Sequence, residues 1–326
     1  MSNTLSSFIA HDLTETGTTK ILGAEMGAEL YQMILTGGTG NGLLGAKYTF
    51  VQANGNAMQN MAALISAYAS FTSSDPGTPR QPKTIILGPG EYYNMDVSGN
   101  TIPFLVNKEG VDIVTLTGNA DAIFVTGINV TANNVYIKGI DCGTVAFQIG
   151  NNLNLLVCEN CKGGSNSFCN SIVSGTFIKC IVGIGSGGTS RGFGTSQTFS
   201  GIAIDCESGA ESFGGNQDGD GVFNGYAKNC KGGDWCFGHV CSGFTENCTA
   251  GDSSFGTDES GGSGSFSGTS INCEGGAGSF CSVSGTFTST GRLNFCKLTS
   301  GGFPTVTAGG HITYCINGDG TAATNQ

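Results

Sequence analysis

Charge is what this chain has least of. Only 11% of its 326 residues are Asp, Glu, Lys or Arg, and the balance is acidic, with a net charge of −11. Nucleic acid and anionic membranes want a basic face, so both are disfavoured as partners, and an acidic polysaccharide is a harder ligand to hold. No apolar run approaches the ~20 residues of a membrane-spanning helix. Met1-Ser-Asn-Thr-Leu-Ser-Ser-Phe-Ile lacks a basic region leading into an apolar stretch, so no signal peptide is read. Proline is scarce at 6 residues, which excludes collagen and Pro-rich disorder although glycine reaches 56. The 3 histidines (His11, His239, His311) are scattered and Trp235 is the single tryptophan.

What is abundant is Gly, Ser, Thr and Asn, interleaved with short apolar pairs, a composition that suits very short strands and many tight turns. Nine cysteines punctuate the second half: Cys142, Cys161, Cys180, Cys206, Cys230, Cys248, Cys273, Cys296 and Cys315, with gaps of 18 to 26 residues. A glycine stands five residues before the cysteine at Gly175, Gly201, Gly225, Gly243, Gly268 and Gly310. A phenylalanine stands seven after it at Phe168, Phe213, Phe237, Phe255, Phe280 and Phe303. Asn or Asp comes just before it at Asp141, Asn160, Asp205, Asn229, Asn247 and Asn272. A period in this range marks a solenoid, one coil per repeat. Coils of this length fit a right-handed parallel β-helix with three short strands each, and stacking then puts like on like: internal columns of Cys and Phe and a column of Asn at a turn. The structural ladder is expected to comprise Cys161, Cys180, Cys206, Cys230, Cys248 and Cys273 with Phe213, Phe237, Phe255 and Phe280. A stacked, buried thiol column is favoured over a metal or redox site, since Cys158-x-x-Cys161 has no second pair or nearby histidine to complete a zinc set. Fourteen cysteines without an export signal are expected as free thiols.

Residues 1–45 fit no repeat and end in the flexible run Thr36-Gly-Gly-Thr-Gly-Asn-Gly. They are read as an N-terminal attachment or oligomerisation segment, with a disordered leader as the alternative. Residues 46–326 form the β-helix domain. Within it a capping helix is expected at about 56–71, with Asn54 or Asn56 at its start and a stripe of Met58, Met61, Ile65 and Tyr68. The first coils follow over 83–140 and the Cys/Phe coils over 141–326. In the coil at Cys206, alternation puts Ile202, Ile204 and Cys206 inside and Ala203 and Asp205 outside. Lys228 and Glu246 share parity with their cysteines, so a bend or bulge is expected there, at the Asn before Cys. The long gap before Cys206 implies that Gly183 to Thr198 projects as a loop.

The order of helix, Ile85-Ile-Leu-Gly-Pro-Gly-Glu-Tyr92 and glycine-rich coils resembles the start of pectate-lyase-superfamily β-helices, a start shared by phage tailspikes and fibres. Ala57 to Phe71, Ile85 to Tyr92 and Val111 to Phe124 carry the resemblance. It implies a phage virion appendage, fibre or tailspike-like, localised to the virion. The resemblance further implies a parallel homotrimer, attachment to other virion proteins through the N-terminal segment, and contact with host surface polysaccharide.

The chemistry of the site is less legible. The densest acidic patch is Asn216-Gln-Asp218-Gly-Asp220-Gly, where Asp218 and Asp220 could chelate Ca²⁺. The remaining ligands of a calcium loop do not follow, and Asp-Gly is ordinary turn chemistry, so no cofactor is expected. Trp235 either stacks on a sugar from outside or is a partly buried coil residue. Arg191 lies in the expected loop; Arg191 and Arg292 do not match the family's catalytic arginine, and Gly238-His239 lacks the paired aspartates of polygalacturonases. Glu207, Glu211, Asp234 and Asp252 form either an acidic stripe or a solvated face. The candidate binding residues are therefore Asp218, Asp220, Trp235 and Arg191, with no catalytic residue or metal ligand assigned. The leading expectation is a non-enzymatic adhesin; the alternatives are a polysaccharide depolymerase or a ligand-free decoration protein.

Overall fold

The computed structural model describes residues 48–71, 83–168, 172–183, 192–193, 198–215, 221–256, 264–281, 286–304 and 309–323. These residues are all-β apart from one helix, with short strands in long stacks of parallel sheets, an arrangement consistent with a β-helix solenoid. β1 (Tyr48–Val51) pairs with β2 (Lys83–Leu87), and the chain then passes to β3 (Gly90–Tyr92) and β4 (Phe104–Val106) before Val111–Thr115 returns to lie in register on β2. Each later coil repeats that circuit. The first strands of the coils form a twelve-stranded parallel sheet ending at His311–Thr313, called here the long sheet. The second strands form a six-stranded and a two-stranded parallel sheet, joined by single bridges, and the third strands a three-stranded and a six-stranded one.

Helix α1 (Ala57–Ser70) opens with a capping box. The Asn56 side chain accepts from the Gln59 N–H at 3.0 Å, and the Gln59 side chain accepts from the Asn56 N–H at 3.0 Å. Asn60, Met61, Leu64 and Tyr68 are its buried face, while Met58 and Ile65 are 54% and 41% exposed, so the stripe lies partly elsewhere than the expected one. The Asn60 amide donates to the Glu91 carbonyl at 2.9 Å, and Lys108 closes the far end by donating to the Tyr68 and Phe71 carbonyls, both at 2.6 Å. A cation on the last carbonyls complements the helix dipole. The helix thus lies against β1 and β3 at the N-terminal end of the stack, as a cap should.

Local geometry within a coil turns on one residue. Strand Ile202–Ile204 points Ala203 inward and fully buried, with Ile202 42% exposed, which reverses the expected parity. Asp205 then takes a left-handed conformation (φ 54°), and that reversal brings Cys206 back to the interior. Asn160, Lys179, Asn229, Asn247, Asn272, Phe295 and Tyr314 do the same at the equivalent corner, with φ between 50° and 55°. This is the bend that the parity of Lys228 and Glu246 required. Asn and Asp tolerate that region far better than most residues, which is why they recur there. Their side chains also stack: Asn229 donates to Asp205 at 2.9 Å, Asn247 to Asn229 at 3.1 Å and Asn272 to Asn247 at 2.9 Å.

The cysteine column runs from Cys161 to Cys315. Cys142 is not in it: Asp141 pairs with Lys162, so Ile140 occupies the cysteine position of that coil and Cys142 lies two residues further on, level with Gly163. Column thiols sit against carbonyls of the coil before, Cys180 on Cys158 at 3.3 Å and Cys206 on Phe177 at 3.3 Å. The phenylalanine column is longer than the spacing indicated. It stacks Phe147, Phe168, Phe193, Phe213, Phe237, Phe255, Phe280 and Phe303 with ring centroids 4.5 to 5.7 Å apart. Phe193 takes its place although it follows Cys180 by 13 residues, because the extra chain is inserted before it. Phe199, Phe223, Phe266 and Phe287 belong to a second inward column, partly edge-on to the first. Between the third strands and the long sheet the turn needs glycine. A Cβ on Gly201, Gly225, Gly243 or Gly268 would come within 2.2 to 2.5 Å of the preceding coil's glycine carbonyl oxygen.

Thirteen cysteines are described, all buried and free. Burial pushes the Cys236 and Cys281 thiols up to about 12, and holds those of Cys142, Cys158 and Cys180 well above the usual range. All thirteen are out of reach of a reagent in solvent whatever their protonation, and buried structural thiols are inert. A thiol reagent such as DTNB should therefore leave these thirteen untouched in the native protein and titrate them all in denaturant. Fast native reaction of more than one thiol, allowing for Cys169 outside the described residues, would show that solvent reaches the column. The corner makes a second prediction. Asn247→Ala should lose about 1–2 kcal/mol through the left-handed conformation alone, and Asn247→Gly should lose less in urea unfolding. Equal losses would mean that the carboxamide ladder, not the backbone, sets the requirement.

Candidate functional site

Asp218, Asp220 and Arg191 lie outside the described residues, as does most of the expected 183–198 loop. Trp235 is partly buried at a left-handed position (φ 53°), its N–H donating to the Asp252 carbonyl at 2.9 Å and its indole Nε1 buried without a hydrogen-bond partner. Phe237 beside it points fully inward. Three of the four acidic candidates follow one another on successive coils, Asp234 accepting the Glu211 N–H through its carbonyl and the Asp252 N–H through its carboxylate, both at 2.8 Å. Glu207 stands exposed on the outer face of the second stack next to Lys231, and Glu211 is buried. Asp234 and Asp252 are turn-builders, accepting the backbone N–H groups of Asp252 at 2.8 Å and Ala277 at 2.6 Å in the coils that follow. Among the described residues no three His, Cys, Asp or Glu side chains are grouped to hold a metal ion.

The organised polar chemistry sits instead on the outer face of the long sheet, where sequence reading did not look. Parallel register stacks its outward side chains in two columns. One runs Asp112, Tyr136, Val157, Thr176, Ile202, Tyr226, Phe244, Thr269; the other runs Val114, Lys138, Glu159, Ile178, Ile204, Lys228, Glu246, Ile271. Two clusters of the same construction occur there. In the first, the Lys138 ammonium meets Glu159 at 2.8 Å and the Tyr136 hydroxyl donates to the other Glu159 oxygen. In the second, Lys228 meets Glu246 at 3.0 Å and the Tyr226 hydroxyl donates to it at 3.2 Å. Each is a Tyr-x-Lys on one strand with a Glu facing the lysine from the next coil. The Tyr226 ring also stacks on Phe244, centroids 5.5 Å apart. Between the clusters lie Ile178, Ile202 and Ile204.

The lysine hydrogen bond, then the tyrosine, holds the Glu159 carboxyl below its ordinary value, and Lys228 does so first for Glu246. Burial, reinforced by Glu159, raises the Tyr136 hydroxyl far above its ordinary value. Both donors of each cluster are thus committed to one carboxylate, leaving fixed alternating charge and flat aromatic surface. That is the chemistry of recognition by contact. The sequence signal was present as Tyr136-Ile-Lys138 and Tyr226-Ala-Lys228, but it becomes visible only once register places a glutamate beside each lysine.

Comparison with known proteins returns no match: no protein-family model, no curated protein and no solved structure shows significant similarity to this chain. Among the described residues no helix is long and apolar enough to cross a membrane.

Because the Glu159 carboxyl is depressed in the folded protein, its pairing contributes stability above the unfolded value, ~4.3, and that contribution is lost as pH falls through the lower folded value. Glu159→Gln should flatten this part of the acid dependence of the thermal midpoint. An unchanged acid slope in the variant would mean that the cluster is not formed in solution.

Proposed function

We propose that this chain is a right-handed parallel β-helix of the pectate-lyase-like kind, serving as a phage virion appendage that contacts host surface glycans as an adhesin. The observation that carries the reading is the stack itself: twelve parallel strands in register behind a capping helix, held by continuous Phe and Cys columns. Such a solenoid is a stiff rod with long, uninterrupted faces, suited to presenting a binding surface at a distance from its point of attachment. In this reading residues 1–45 dock on other virion proteins, and the segments that carry Arg191 and Asp218 and Asp220 meet the glycan. A depolymerase needs carboxylates free to converge on a substrate, whereas the described Asp234 and Asp252, stacked on consecutive coils, each accept a backbone N–H from the coil that follows.

The reading is tested by binding of the full chain to a panel of purified bacterial surface polysaccharides, with chain length followed by size-exclusion chromatography. Retained binding with unchanged chain length is the expected result. Progressive shortening with new chain ends supports the depolymerase instead, and absence of binding across the panel favours a decoration protein.

A further inference from the structure

The outer face of the long sheet is self-complementary under one symmetry operation. Number the coils by their strand in that sheet, so that Tyr136 and Lys138 lie on coil four and Phe244 and Glu246 on coil nine. A two-fold axis along the strand direction, passing between coils six and seven, brings a second copy face to face with its coils running the opposite way. It keeps each column opposite itself and sets coil four against nine, five against eight and six against seven. Lys138 then faces Glu246 of the second copy, and Glu159 faces its Lys228. In the same columns Ile178 meets Ile204, Val114 meets Ile271, Tyr136 meets Phe244 and Val157 meets Tyr226. At the exposed corner Lys179 faces Asp205.

We propose that two copies of this chain pair antiparallel through this face, in that register. The pairing goes beyond the functional reading above and does not depend on it. Each intrachain ion pair, Lys138–Glu159 and Lys228–Glu246, becomes half of a four-charge cluster in which every cation has anions on two sides. Two such clusters, related by the axis, flank the isoleucine patch. Other arrangements forfeit this. Moving the axis by half a coil one way sets Lys138 against Lys228, and the other way sets Glu159 against Glu246. Copies running parallel about a three-fold axis bring each level against itself, Lys138 beside Lys138, so this face does not serve the parallel homotrimer that the family resemblance implies.

Charge supports the same conclusion. Two chains of net charge −11 repel at most surfaces, whereas this face is nearly balanced, with Lys138, Lys179 and Lys228 against Asp112, Glu159, Asp205 and Glu246. Among the described residues, the border at which the strands are entered is low. From Thr176 to Thr269 each strand is entered by a two-residue turn ending in Gly175, Gly201, Gly225, Gly243 or Gly268. Coils ~4.8 Å apart and residues ~3.3 Å long give an eight-coil, four-residue-wide patch on the order of 500 Å² per copy. Standard interfaces bury about 800 Å² per partner, so the pair is expected to be reversible, concentration-dependent and weakened by salt.

The test is sedimentation and light scattering of the full chain over a concentration series, with charge-swapped variants. The wild-type mass should rise from 33.1 kDa toward twice that value. Lys138→Glu with Glu159→Lys keeps the intrachain ion pair but sets like charges together in both clusters, and should weaken pairing at least about tenfold. Lys228→Glu with Glu246→Lys should do the same. Mixed together, the two swapped proteins should regain pairing as a heterodimer, because opposite charges meet again in both clusters; circular dichroism checks that each is folded. A chain that stays monomeric throughout, a mass of three chains, or a dimer indifferent to either swap would overturn the proposal, and so would failure of the mixture to restore association.

Discussion

Every coil from the fourth onward depends on one left-handed residue at the corner that follows its first strand. A β-strand alternates its side chains, so a strand entering the corner with Ala203 or Ala227 inward would turn the cysteine three residues later outward. The left-handed conformation at Asp205 or Asn229 cancels the alternation and returns Cys206 and Cys230 to the core. Because coils stack in register, the same conformation must recur at the same place in each of them. Asn and Asp answer this requirement twice over, through tolerance of positive φ and through a side chain that hydrogen-bonds to its neighbour above. A similar device operates at the phenylalanine column, where Phe168, Phe193, Phe213, Phe237, Phe255 and Phe280 are all left-handed, with φ between 45° and 60°. There the strain of a bulky residue is offset by burial and ring stacking on both sides.

This constraint explains which parts of the fold could be read from the chain. An inward position meets the same position of the next coil, so chemistry that works once works repeatedly, and the spacing of Cys, Phe, Asn and Gly reports it directly. The parity error at Ile202 came from assuming unbroken alternation through Asp205, and the misplacing of Cys142 from counting cysteines without knowing that Gly139 fills the left-handed corner of that coil. Phe147 and Phe193 escaped because insertions and the absence of a cysteine hid the period, while stacking geometry ignores both. Short strands such as Ile128–Val130 and Phe147–Ile149 carry too few residues to declare themselves.

The candidate site was far less legible, for a related reason. Outward side chains gain little from like-on-like stacking, and a column of identical charges is unfavourable, so the exterior has no reason to keep the period. The Tyr136–Lys138–Glu159 and Tyr226–Lys228–Glu246 clusters each join two segments about twenty residues apart, and only the ladder register fixes which glutamate meets which lysine. Trp235 shows the converse. It looked conspicuous in sequence, but it sits at a corner residue whose first duty is a backbone bond to the Asp252 carbonyl.

The pattern on the long sheet's outer face therefore calls for a cause outside the single chain. Stacking within one chain is satisfied by alternating charges anywhere along a column: Lys138 with Glu159 would serve equally at any pair of coils, as would Lys228 with Glu246. What internal stacking does not require is that the first cluster occupy coils four and five, the second coils eight and nine, and an apolar patch the two coils midway between. Nor does it require the aromatic and aliphatic residues of the neighbouring column to fall on matching partners about the same midpoint. A palindrome of this kind is neutral for one copy and favourable for two, since a two-fold interface is by construction a surface complementary to itself. The inside of the solenoid is ordered by translation from coil to coil; its outer face is ordered by reversal about a point, and reversal is the operation that relates one molecule to another.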